Sequence, residues 1–159
     1  MIKGFDIMLY VAYGSNMNLE QMKYRCPNSK VVGKGVLKEY QLVFNVHADV
    51  IETNYKTDKV PVVLWDINDY DWHYLDMYEG FPSYYIKKIV PIEMEDGRTE
   101  HAIVYVMADK RKGICPPDEH YFNVVKQGCI DNGIDVEYLY KALQYSIDNE
   151  TEYNQYKLK

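Results

Sequence analysis

The sequence predicts an α+β fold, a mixed sheet or small barrel decorated by helices. Three observations predict it. Strand-like stretches dominate the middle of the chain. They are not separated by regular crossover helices, which argues against a doubly wound sheet. The last third carries helical patterns, with apolar residues at three- and four-residue spacing. A length of 159 residues suits one domain spanning 1–159, with a core over about 8–147.

The elements follow in order. The first strand covers roughly Met8–Tyr13 and runs straight into "YGSN". "MNLEQMKYRCP" reads as a short helix, with Asn18 as its cap and Pro27 just past its end. "KVVGKGVLKEYQLVFNV" predicts two strands connected around Lys38 and Glu39. "VPVVLWDI" is a short apolar run that suits a buried strand. Pro61 within it pushes that strand toward a sheet edge. "NDYDWHYLDMYEG" is a helix. Asn68 is its N-cap, Asp69 and Asp71 suit the positive end of its dipole, and Gly80 lies just past its last turn. "YYIKKIVPIEMEDGRTEHAIVYVM" is a hairpin turning at Asp96-Gly97. "PPDEHYFNVVKQGCIDNG" is a helix whose apolar face holds Tyr121, Val124, Val125, Gly128 and Cys129, with Gly133 as its stop. "DVEYLYKALQYSI" is a second helix capped by Asp135, and the tail "DNETEYNQYKLK" is frayed or loosely docked.

The bulk properties exclude several classes. A formal net charge of -6 leaves no basic footprint for nucleic acid or an anionic membrane. No apolar run is long enough to span a bilayer. The N-terminus lacks the long apolar segment of a signal peptide. Cys26, Cys115 and Cys129 are odd in number and scattered, which argues against a disulfide framework. A cytoplasmic protein is expected. Aromatic residues make up 14% of the chain, most of them tyrosine. Tyrosine-rich surfaces suit small polar ligands, and core packing explains the same composition.

Few residues invite chemistry. His47, His73, His101 and His120 are not paired at metal-ligand spacing with one another or with a cysteine. No nucleophile elbow and no phosphate-binding glycine loop is present. Glu79 stands out. Trp72, Leu75 and Glu79 fall at i, i+3 and i+7, so an acid occupies an otherwise apolar stripe. It also sits at the negative end of its helix dipole. Both settings favour the protonated form and raise the pKa toward the range a general acid/base needs. A glutamate that turns outward, or one that pairs with a lysine, fits the same position. The Gly14-Ser15-Asn16 turn has two readings as well. It is an ordinary strand-to-helix connection, or a cradle whose backbone approaches an anion or oxyanion closely.

Taken together, "YVAYGSNM", "LDMYEGFPSYY" and "PPDEHYFNVVKQGCIDNGIDVEYL" resemble the gamma-glutamylcyclotransferase family, including its AIG2-like relatives. The matches keep the family's order from Tyr10 to about Leu143. The resemblance implies a small mixed β-barrel with flanking helices. It also implies conversion of a gamma-glutamyl-amino acid or gamma-glutamyl-amine to 5-oxoproline, with release of the free amine and without a cofactor. It puts Glu79 at the catalytic glutamate position. It puts Tyr10, Val11, Ala12, Tyr13, Gly14, Ser15 and Asn16 on the substrate-binding loop, and Tyr85 and Tyr121 at the pocket. The implied partner is a small gamma-glutamyl substrate; the leaving amine is not written in these motifs. Two features depart from the family. Pro61 and Val62 stand where relatives often carry a glycine, and the Glu79–Tyr85 spacing is short, leaving Tyr84 and Tyr85 as rivals for the pocket. Residues 47–59 are expected to form a loop at the pocket mouth. A non-catalytic binding module of the same fold is the alternative, and an interaction protein with no pocket beside Glu79 a third.

Overall fold

A computed structural model describes residues 8–151. Five strands close into a barrel in the order β1 (Leu9–Ala12), β5 (Lys59–Asp66), β2 (Lys30–Lys38), β6 (Tyr85–Met94) and β7 (Thr99–Met107). The neighbouring pairs are antiparallel, and the seam between β1 and β7 is parallel, with Tyr10 opposite Ile103. A separate hairpin joins β3 (Tyr40–Asn45) to β4 (His47–Glu52). Both faces of the barrel wall are covered, since successive strand residues point to opposite sides and even neighbours are buried. Val11, Val62, Val63, Leu64, Ile92 and Val104 are all buried.

Four α-helices flank the barrel: α1 (Leu19–Arg25), α2 (Asp69–Glu79), α3 (Glu119–Asp131) and α4 (Glu137–Asp148). Side chains cap three of the four starts, at Asn18 and Asn68 as expected and at Asp118, which the sequence reading did not name. Asn18 accepts from Gln21 N at 3.0 Å, Asn68 from Asp71 N at 2.7 Å and Asp118 from Tyr121 N at 2.7 Å. Gly80, with φ of 66°, ends α2 in the left-handed conformation that glycine adopts without strain. None of the helices among the described residues is long and apolar enough to cross a membrane.

Several expectations need correction. Residues 47–59 are not one loop, because 47–52 form β4. Strand β5 is not an edge, since β1 and β2 flank it. Pro61 is tolerated because β1 reaches only as far as the Ala12–Val63 pair, so the proline has no ladder partner to satisfy on that side. Asp135 does not cap α4 from the N-cap position, which Val136 occupies; its carboxylate instead accepts from Glu137 N at 2.9 Å. The tail docks as far as Thr151, whose N–H donates to Ile114 O at 2.9 Å, and 152–159 lie outside the described residues.

Helix α3 fixes the turn that follows β1. Asn132 Nδ2 donates to Met17 O at 2.8 Å, and Asn18 Nδ2 donates to Val124 O at 3.1 Å. Gly128 makes the approach possible. A Cβ there would stand 2.7 Å from Asn18 N and 2.9 Å from the Met17 carbonyl carbon.

Candidate active site

Strand β1 stops at Ala12, and Ser15–Met17 form a single 3₁₀ turn before α1. The turn is tied down on several sides. Trp65 Nε1 donates to Asn16 O at 3.0 Å, and Tyr13 Oη donates to Tyr105 O at 2.7 Å. Gly14 allows a close approach, and its φ of -123° is open to any residue. A Cβ there would lie 3.2 Å from Tyr121 Oη and 3.3 Å from Ala48 Cβ.

The last residue of α2, Glu79, meets this turn. Its Oε1 accepts from Asn16 Nδ2 at 3.3 Å, and the same nitrogen donates to Tyr10 Oη at 2.8 Å. Glu79 does not turn outward, nor does it take a lysine. The lysine beside α2, Lys87, pairs with Asp76 at 2.8 Å. Opposite the turn, Ala48 of β4 is held at both backbone groups. Tyr85 Oη donates to its carbonyl at 2.7 Å, and its N–H donates to Tyr121 Oη at 3.1 Å.

These groups enclose a two-lobed cavity. The outer lobe, about 310 Å³, is walled by Tyr78, Tyr84, Tyr85, Tyr121 and His47. The narrower inner lobe is lined by Tyr10, Tyr13, Gly14, Asn16, Ala48 and Tyr105. Ser15, Glu79, Tyr85 and Tyr121 line both. The Glu79 carboxyl is therefore at the junction of the lobes.

Burial sets the protonation of the site. It pushes the Glu79 carboxyl up to about 7, against the opposing pull of Arg25 and of the Asn16 hydrogen bond. The phenols of Tyr10, Tyr13, Tyr85 and Tyr121 are raised by burial and stay un-ionised. Burial lowers His47, favouring the neutral ring. The cysteines take no part. Cys26 is pushed up to about 12 by burial, and none of the three lines either lobe. Among the described residues no group of three or more His, Cys, Asp or Glu side chains is gathered as a metal site.

The structure thus brings together Tyr10, Tyr13, Gly14, Ser15, Asn16, Glu79, Tyr85 and Tyr121 from the sequence-predicted set. Val11 and Ala12 are not with them; both are buried in the barrel wall, opposite Leu64 and Val63. Tyr84 and Tyr85 both line the cavity, the first in the outer lobe alone. Sequence reasoning missed Arg25, His47, Ala48 and Tyr78. Tyr78 had a signal, since it is the neighbour of Glu79 at the helix end. His47 and Ala48 belong to the segment expected at the pocket mouth, but reading it as a loop singled out neither.

The fold and the cavity define a class: a small mixed-barrel protein with a half-buried, near-neutral carboxyl in a tyrosine-walled pocket of small-molecule size. Comparison with known proteins narrows it. The family model for gamma-glutamyl cyclotransferase, AIG2-like, matches residues 10–123. The chain belongs to that family. It is 29% identical to a gamma-glutamylcyclotransferase of Bos taurus over 163 residues, covering 96% of this chain and 82% of the relative. It is 27% identical to a gamma-glutamylcyclotransferase of Homo sapiens over 144 residues, covering 84% and 76%. A solved structure described as gamma-glutamyl cyclotransferase shares its fold, with a TM-score of 0.72, 24% identity and 85% of each chain covered.

Proposed function

We propose that this protein cyclises a gamma-glutamyl-amino acid or gamma-glutamyl-amine to 5-oxoproline and releases the free amine, with Glu79 as general acid/base. One observation carries the reading. A carboxyl with its pKa raised to about 7 sits where the inner and outer lobes meet, beside the Gly14-Ser15-Asn16 turn.

The substrate supplies its own nucleophile. Its α-amino group attacks its γ-carbonyl and closes a five-membered ring, so proximity is built in and no serine or cysteine is needed. The outer lobe, at about 310 Å³, has the room for the substrate; the inner one, at about 30 Å³, holds no more than a group the size of one or two waters. The Glu79 carboxylate accepts the proton that the attacking amine must lose. The same carboxyl then returns a proton to the departing nitrogen. The start of the 3₁₀ turn leaves the Ser15 and Asn16 N–H groups without partners inside the turn. They are suited to the substrate carboxylate or to the developing oxyanion. Tyr121 Oη accepts from Ala48 N, which leaves its own proton for the substrate, whereas Tyr85 Oη already donates to Ala48 O.

The test is a panel of gamma-glutamyl-alanine, gamma-glutamyl-lysine, gamma-glutamyl-amines and glutathione, with 5-oxoproline as the readout. Glu79→Gln keeps the fold and lowers turnover by roughly 10²–10⁴-fold. Because the carboxylate is the reactive form, kcat/KM of the wild type rises with pH through a midpoint near 7. No product from any substrate with folded protein, or wild-type turnover in Glu79→Gln, overturns the assignment.

A further inference from the structure

Arg25, the last residue of α1, lines neither lobe. Its guanidinium nevertheless gathers the polar side chains behind the site. Nη1 donates to Ser15 Oγ at 3.2 Å and to Asn16 Oδ1. Nη2 donates to Gln21 Oε1 at 2.6 Å, one turn back on the same helix. The guanidinium carbon stands 3.7 Å from the centre of the Tyr78 ring. Tyr78 Oη is itself 3.5 Å from Ser15 Oγ, so α1, the 3₁₀ turn and the end of α2 are joined through one cation.

An arginine donates and cannot accept. The Asn16 amide must therefore turn its oxygen toward Arg25. That choice leaves its nitrogen facing Tyr10 Oη and Glu79 Oε1. The reverse orientation would set an NH₂ against a guanidinium and a carbonyl oxygen against a carboxyl. Taking Glu79 as the acid/base proposed above, we infer that Arg25 is a positioning residue that fixes the Asn16 amide and, through it, the proton affinity of Glu79.

The other groups around Glu79 do not compete for this role. Tyr10 of β1, Tyr13 just past it, Tyr85 of β6, Tyr105 of β7 and Tyr121 of α3 are phenols raised by burial, so they carry no charge near neutrality. His47 of β4 is lowered, and Tyr78 adjoins Glu79 on α2. The Arg25 charge and the Asn16 hydrogen bond both favour the ionised carboxyl.

The test titrates the Glu79 carboxyl by carbon-13 NMR in wild type, Arg25→Gln and Arg25→Lys, with Glu79→Gln assigning the signal. In Arg25→Gln the midpoint moves up by roughly 0.5–2 pH units. Arg25→Lys, which keeps the charge without the fork, moves it by less than Arg25→Gln. An unchanged midpoint in both variants overturns the inference. If a variant does not fold, the wild type decides. Its Asn16 side-chain amide protons give cross-relaxation to the Tyr10 ring; the same protons close to the Arg25 guanidinium instead would overturn it. The titration needs no turnover. A shifted midpoint in a protein that forms no 5-oxoproline therefore sinks the proposed function alone. Where turnover is seen, the acid limb of kcat/KM moves with the carboxyl.

Discussion

At the scale of the residue, the site uses ordinary side chains made unusual by burial. Tyr121 shows how one hydroxyl serves two ends. Its oxygen satisfies the buried Ala48 N–H of β4. Tyr121→Phe removes that acceptor and should cost about 1–3 kcal/mol, measured by urea unfolding. It should also lower kcat/KM for 5-oxoproline release, because the hydroxyl proton is lost from the cavity wall. Tyr85→Phe leaves a carbonyl rather than an N–H unpaired, and its larger effect is expected on stability. A Tyr121→Phe variant with unchanged stability would show that the Ala48 contact contributes nothing. The position of the candidate acid was legible in the chain. Glu79 stood out because an acid broke an apolar stripe at the wrong end of a dipole. Arg25 did not, because a basic residue in the last turn of a helix is what the dipole favours anyway.

At the scale of the element, the site depends on where α3 sits. Gly128 lets that helix lie against Met17 and Asn18, just past the 3₁₀ turn. Gly128→Ala forces either the helix or the turn to move, since backbone atoms would be met at under 3 Å. It should destabilise the protein by about 1–3 kcal/mol despite alanine's better helix propensity, and lower activity through displacement of Ser15 and Asn16. A gain in thermal stability would contradict the packing described. The apolar periodicity put Gly128 on the buried face, but nothing in that pattern said what it faces. Strand β4 was hidden for a related reason. The turn that leads from β3 into it is made by Val46, with φ of 65°. This is a left-handed position that sequence reading looks for under glycine or asparagine. The hairpin also buries a carboxylate, Asp49, whose Oδ1 accepts from Met107 N at 2.9 Å. A buried acid breaks the alternation that would have marked a strand.

At the scale of the whole molecule, Glu79 makes stability depend on pH. Its folded pKa of about 7 lies above the ordinary 4.5, so the folded state binds this proton more tightly than the unfolded one. The favourable contribution is fully present below pH 4.5 and is lost as pH rises through 7, a change of about 3 kcal/mol for the full shift. Glu79→Gln should therefore gain stability over wild type at pH 8 and show little difference at pH 4.5, by chemical denaturation at both. Equal differences at the two pH values would mean the carboxyl is not held near neutrality. With Glu79 in the role proposed for it, the trade is the familiar one in which a reactive group lowers the stability of the fold that holds it.

The parallel seam between β1 and β7 has a kinetic consequence. Strand β1 is the first of the barrel in the chain and β7 the last, so their pairing closes the longest loop within the barrel. Such long-range pairing is slow relative to local hairpins and helices. The turn bearing Ser15 and Asn16 hangs from β1, and Tyr13 just before it is tied to β7 through Tyr105 O at 2.7 Å. During refolding, helical circular dichroism should recover before 5-oxoproline release does, with activity regained at the rate of the final step. Catalytic competence would then report closure of the barrel, and a partly folded chain would carry no active fraction.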